Sequence, residues 1–158
     1  MSAKIVTPSM SPGQLDVKMV TVGAATDLPD VAFTTSTGAL TLFKVPIGTL
    51  VYDIVVRKLT AFTSGTPAFT LGDTDVDGYL AALSLVATDV GFKSVKAWIA
   101  SSAAQPAPAY RQGKMYNSDD TYDSDGYASI VLSVSGAAPA AGLAEVYLFH
   151  WNRNEHIK

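Results

Sequence analysis

Residues 49–78, TLVYDIVVRKLTAFTSGTPAFTLGDTDVDG, are the stretch on which the fold turns. Leu50, Val51, Tyr52, Ile54, Val55 and Val56 form an apolar run rich in β-branched and aromatic side chains, which suit a pleated, buried surface. Ser64-Gly65-Thr66-Pro67 then supplies turn residues. Ala68-Phe69-Thr70-Leu71 alternates apolar and polar positions, the period of a strand covered on one face. A long strand, a tight turn and a short strand make a hairpin, and a hairpin needs further strands to bury its apolar face. In a regular strand Leu50, Tyr52, Ile54 and Val56 share one face, but past Lys58 the apolar positions slip to Leu59, Ala61 and Phe62. A β-bulge near Arg57 and Lys58 would re-aim the side chains. A strand covered on both faces is the alternative.

The flanking sequence offers the missing strands. Upstream, residues 15–22, 31–34 and 39–45 carry strand patterns, and the last is stopped by Pro46, which cannot donate to a ladder. Downstream, residues 79–86 read as a loop or short helix, since Ala and Leu favour a helical turn. Residues 95–100, with Trp98, and 110–116 are candidate strands separated by the Ala/Ser/Pro-rich loop 101–108. Ala128, Ile130, Leu132 and Val134 then alternate with Ser129, Val131, Ser133 and Ser135, a strand with one covered side. GAAPAAG, residues 136–142, is a flexible connector. Residues 145–151, EVYLFHW, are apolar on both faces, as in a central strand or one that meets a partner. About eight short strands with turn signals between them predict an all-β sandwich or barrel. One domain, 15–158, follows an extended N-terminal arm, 1–14.

Composition narrows the function. A chain of 158 residues can bury a proper core. Its charged fraction is 16%, against roughly 25% in ordinary soluble domains. Either part of the surface is covered by another copy or another protein, or a large sandwich carries a Ser/Thr-rich exterior. Of 14 acidic residues only Glu145 and Glu155 are Glu. Asp suits turns and Glu suits helix interiors, so the skew argues against a helical protein. A net charge of −3 gives no reason to expect nucleic acid. There is no cysteine, which removes disulfides and thiolate metal sites. No apolar run approaches a membrane span, and residues 1–14 lack the apolar core of a secretory signal. Synthesis in a cytosol is expected.

Three motifs could carry chemistry. Asp73, Asp75 and Asp77 followed by Gly78 match the start of a calcium loop, where a hard cation takes several carboxylate oxygens on a tight turn. The bidentate acid expected at the twelfth position is instead Ser84, so an Asp/Gly turn is the competing reading. Asp119, Asp120, Asp123 and Asp125 form a second acidic group. Paired carboxylates can hydrolyse glycosides, although turn-forming Asp is the ordinary role. His150 lies in an apolar strand and reads as a core or interface residue rather than a base; His156 is in the polar tail. Neither a nucleophile elbow nor a glycine-rich phosphate loop is present. The expectation is a protein with no catalytic residues and no cofactor. Tyr79, Phe92, Trp98, Tyr110, Tyr116, Tyr122 and Tyr127 are spread through the second half. Near loops such rings bind sugars or proteins; packing in the core is their commoner use.

One resemblance adds to this reading. GTLVYDIVVRKLTAFTSGTPAFTLGDTDVDGYL resembles a pattern in small virion proteins of tailed bacteriophages: a long strand ending in T-A-F, a glycine-containing turn, an apolar strand into G-D, then D-x-D-G-Y-L. Lys114-Met115-Tyr116-Asn117 before an acidic stretch, and Gly142-Leu143-Ala144-Glu145-Val146-Tyr147, are also similar. The resemblance spans roughly residues 48–147 and implies a capsid decoration (cement) or head-fibre component with a jelly-roll-like antiparallel β-sandwich. It implies the major capsid protein as partner, a homo-oligomer with a trimer as first expectation, and the outer capsid surface as location, with no nucleic acid and no membrane. The N-terminal arm, through Lys4, Ile5, Val6 and Met10, would then bridge neighbouring subunits. A fibre-type module binding host-surface glycans is the alternative.

Overall fold

The computed structural model of the chain describes residues 15–33, 38–63, 68–84, 92–94, 110, 113–136 and 139–152. Ten strands lie among them: β1 (Asp16–Ala24), β2 (Val31–Phe33), β3 (Gly38–Pro46), β4 (Thr49–Thr63), β5 (Ala68–Gly72), β6 (Leu80–Ser84), β7 (Phe92–Ser94), β8 (Lys114–Met115), β9 (Tyr127–Ser135) and β10 (Ala141–Asn152). Apart from a short parallel pairing of β1 with β2, every pairing is antiparallel.

The pairing is nested. β1 pairs with β10, β3 with β9, β4 with β7 and β8, and β5 with β6. Folding such a nested ribbon on itself gives two sheets, one ordered β2-β1-β10-β4-β7 with β8 also on β4, the other β3-β9-β5-β6. This is the jelly-roll arrangement of an all-β sandwich. The two inner faces supply the core. Val22, Val51, Ile54, Val146 and Leu148 from the first sheet meet Val45, Leu71, Ile130 and Leu132 from the second, all at most 1% exposed.

The alternation read along residues 128–135 is realised in β9, whose Ala128, Ile130, Leu132 and Val134 are all buried. β10 is central, held between β1 and β4. The long strand β4 departs from a regular pattern three times, at Tyr52, at Leu59 and where Ala61 and Phe62 stand against Gly142 alone. Opposite β10, Asp53 pairs with Phe149 and Val51 with His150, so Tyr52 is an extra residue. A second extra residue, Leu59, lies between Lys58, opposite Ala144, and Thr60, opposite Leu143. The bulge expected near Arg57 and Lys58 therefore falls at Leu59. The face assignment upstream of it changes: Val51, not Leu50 or Tyr52, points inward with Ile54 and Val56.

Two local expectations are corrected. Residues 80–84 form β6 rather than a loop or helix, because backbone pairing with β5 overrides the helical preference of Ala and Leu. Among the described residues of 110–116 only Lys114 and Met115 are strand. Gly113 takes φ +91° and its N–H donates to the Tyr110 carbonyl, which makes a turn there. The arm 1–14, the turn 64–67, residues 95–100 with Trp98, the loop 101–108 and His156 lie outside the described residues.

Candidate functional site

The loop between β5 and β6 carries the first acidic motif, and its geometry is set by backbone bonds. The Asp75 carbonyl accepts from Asp73 N at 3.1 Å and Gly78 N at 3.0 Å. Tyr79 N donates to Leu71 O at 2.9 Å, and Tyr110 N to Gly78 O at 2.8 Å. The Tyr110 ring lies so close to Gly78 that a Cβ there would sit 2.2 Å from its Cε2.

This folding turns Asp73 inward. Its side chain is 6% exposed and is paired with Lys114 Nζ. Asp73 Oδ1 accepts from Tyr110 Oη at 2.8 Å and from Asp75 N at 3.1 Å, and Oδ2 accepts from Tyr116 Oη at 2.9 Å. Tyr79 Oη donates to Tyr116 Oη at 3.1 Å. Lys114 Nζ also reaches Asp120 Oδ1 at 3.0 Å and lies 4.5 Å from the Tyr110 ring centroid, within cation–π range. Burial pushes the Asp73 carboxyl up, but the hydrogen bonds from Lys114, Asp75 N, Tyr110 and Tyr116 outweigh it and hold the group below the ordinary carboxylate range. Burial pulls Lys114 down, and its bonds to Asp73, Asp120 and Tyr110 more than reverse this. Burial raises the Tyr79 and Tyr116 hydroxyls far above the usual phenol range. The cluster is an ionised pair closed in by neutral phenols.

The same geometry sets what Asp73, Asp75 and Asp77, the residues of the calcium reading, are engaged in. Asp73 spends both oxygens on Lys114, two phenols and an amide, while Asp75 is raised by a hydrogen bond with Asp77, then by burial. Among the described residues no three His, Cys, Asp or Glu side chains converge as a metal group. Lys114 is the residue that sequence reasoning missed. Its signal was present as a cation two residues before Tyr116 and ahead of an acidic run.

The second acidic group forms turns. Asp120 Oδ2 accepts from Asn117 N at 2.8 Å, and Asp123 Oδ1 accepts from Asp125 N at 3.0 Å and Tyr127 N at 2.9 Å. Asp123 Oδ2 also accepts from Lys44 Nζ at 2.7 Å. Asp119 and Asp125 are exposed. Between this loop, the β5–β6 loop and the outer face of β9 lies an open cleft of about 300 Å³. Tyr116, Tyr122, Tyr127, Asp120, Asp123 and Thr121 contribute to its walls. His150 is on the inward side of β10, buried, with Nε2 3.6 Å from Asp16 Oδ2.

No family model matches the chain, and no curated protein matches it either. Solved structures do. A chain of the cyanophage Pam1 capsid asymmetric unit superposes with a TM-score of 0.57 over 95% of this chain and 94% of that one, at 16% identity. A chain of the Ralstonia phage GP4 capsid gives 0.55 over 94% and 90%, at 13% identity. The likeness is one of fold. It runs nearly end to end in both directions, so the matched chains are of similar size to this one and share its sandwich.

Proposed function

We infer that this protein is a structural component of a phage virion: a capsid decoration protein that binds the major capsid protein on the outer surface of the head and stabilises the shell. The observation that carries this reading is the end-to-end fold likeness to chains within two phage capsids. A low charged fraction supports it, because a protein held among neighbours has less surface to solvate. The arm residues Lys4, Ile5, Val6 and Met10 would bridge adjacent subunits. Closed symmetry suits a capsid axis, and a trimer is the form to test first. The reading needs no cofactor and no reaction.

Quantitative mass spectrometry of purified particles tests it. The expected result is a fixed, high ratio of this chain to the major capsid protein. A handful of copies per particle would overturn it.

The cleft under the β8–β9 loop favours a second reading, a fibre-type module for host-surface glycans. Tyrosine rings with carboxylates and hydroxyls at their edges suit a sugar, which has an apolar face and a polar rim. In that case Tyr122→Ala and Tyr127→Ala each weaken binding on a glycan array by roughly tenfold, about 1.4 kcal/mol. An array with no signal for the parent protein removes this reading.

A further inference from the structure

The walls of the cleft beside the β8–β9 loop are selective in what they offer. Ser129 comes from the outer side of β9. That side also carries Ser133, where the outer side of β10 on the other sheet carries Tyr147 and Phe149. Tyr122 and Tyr127 add aromatic surface, and Thr74 and Thr121 are exposed beside them. Among the described residues the hydroxyls of Thr74, Thr121, Tyr127 and Ser129 make no hydrogen bond, so they remain open to a ligand.

The charged groups are already committed. Asp73 and Asp120 hold Lys114, and Asp120 Oδ2 also accepts from Asn117 N at 2.8 Å. Asp123 spends one oxygen on Lys44 Nζ at 2.7 Å and the other on two backbone amides. Among the described residues that line the cleft there is no Lys, Arg or His. Lys114, behind those carboxylates, has a side chain only 13% exposed.

We propose that this cleft takes a short, uncharged saccharide and turns acidic sugars away. The inference rests on the glycan reading of the cleft and names the class of sugar that the reading leaves open. Open hydroxyls can donate to and accept from sugar hydroxyls, while the tyrosine rings cover an apolar sugar face. The cleft is about 300 Å³, at the lower end of the roughly 300–1,000 Å³ of ligand pockets, which suits a short saccharide rather than a long chain. A sugar carboxylate or phosphate needs a cationic donor. Here it would face Asp73, Asp120 and Asp123 and would have to draw Lys114 away from two of them. A cationic ligand fares no better, since each of those carboxylates already has its lysine.

A glycan array of matched pairs, each neutral oligosaccharide beside its sialylated or glucuronidated form, tests the proposal on the purified full chain. Neutral members are expected to bind, with the acidic form of each weaker by roughly tenfold. Binding of the neutral members should be the same at low and high salt. Thr121→Lys puts an unpaired cation at an exposed position of the cleft and is expected to narrow the gap between the two forms. Its β-sheet circular-dichroism spectrum checks that it is folded. Acidic members bound as tightly as neutral ones overturn this inference and leave the glycan reading standing. A gap unchanged in folded Thr121→Lys also overturns it, because charge would then not be what excludes the acidic form. An array on which neither form binds overturns the glycan reading and this inference with it.

Discussion

Replacing Asp73 with Ala lowers the stability of the fold by about 3–5 kcal/mol, the cost of breaking a buried ion pair from one side. Chemical denaturation with a two-state fit measures it. The size follows from what Asp73 holds. Its two oxygens accept from Lys114, Tyr110, Tyr116 and the Asp75 amide. Their removal leaves these donors under the β5–β6 loop with the central acceptor gone, and each buried polar group so stranded costs about 1–3 kcal/mol. Asp120 stays beside Lys114 and moderates the loss. Asp73→Asn keeps an acceptor oxygen and costs less.

The same residue sets a pH dependence. The folded pKa of Asp73 is depressed, so its contribution is fully present above the unfolded value of about 3.9 and is lost as pH falls through the folded one. Lys114 runs the other way. Its folded pKa is raised, so its contribution is present below the unfolded value of about 10.4 and lost as pH rises through the folded one. The parent protein loses more stability than Asp73→Ala does when acidified below about pH 4. Equal losses in the two proteins would show that the pair contributes nothing.

Much of the fold was legible because its strongest signals are local. The alternation in β9 and the two-sided apolar run of β10 are written within single strands, and burial follows them residue by residue. The errors fall where pairing decides. Nothing near Tyr52 marks a bulge; the extra residue is defined by β10, which pairs across it from about a hundred positions later in the chain. β6 is Ala/Leu-rich and becomes strand only through β5. The site was half legible for the same reason. The D-x-D-x-D-G spacing marked the right loop, but the partner that turns Asp73 inward is Lys114, brought back by the pairing of β8 with β4. Periodicity cannot show an ion pair between residues that far apart in sequence. The outer faces could be compared only once the sheets were known, since Ser in β9 and Phe or Tyr in β10 occupy equivalent outward positions on opposite sides of the sandwich.

Gly72→Ala, at the end of β5, costs about 2–4 kcal/mol, the range for an overpacked site that also loses backbone hydrogen bonds. A Cβ at residue 72 would lie 1.8 Å from the Asp75 carbonyl oxygen and 2.5 Å from the Val76 carbonyl carbon. Both are backbone atoms, so no side-chain rotation relieves the clash. The Asp75 carbonyl is also the acceptor for Asp73 N and Gly78 N. Displacing it opens the loop that aims Asp73 at Lys114 and seats Tyr110 on Gly78. The damage should therefore reach the ion pair: Gly72→Ala is expected to blunt the loss of stability on acidification, as Asp73→Ala does. Gly126→Ala separates space from conformation. That glycine has φ +82° but nothing within 4 Å of a Cβ, so Ala there costs only the left-handed backbone penalty of about 1–2 kcal/mol and keeps the acid response. If Gly72→Ala proves no worse than Gly126→Ala, the close approach of β5 to the Asp75 carbonyl does not hold the loop, and the Asp73–Lys114 pair must be positioned from the β8 side alone.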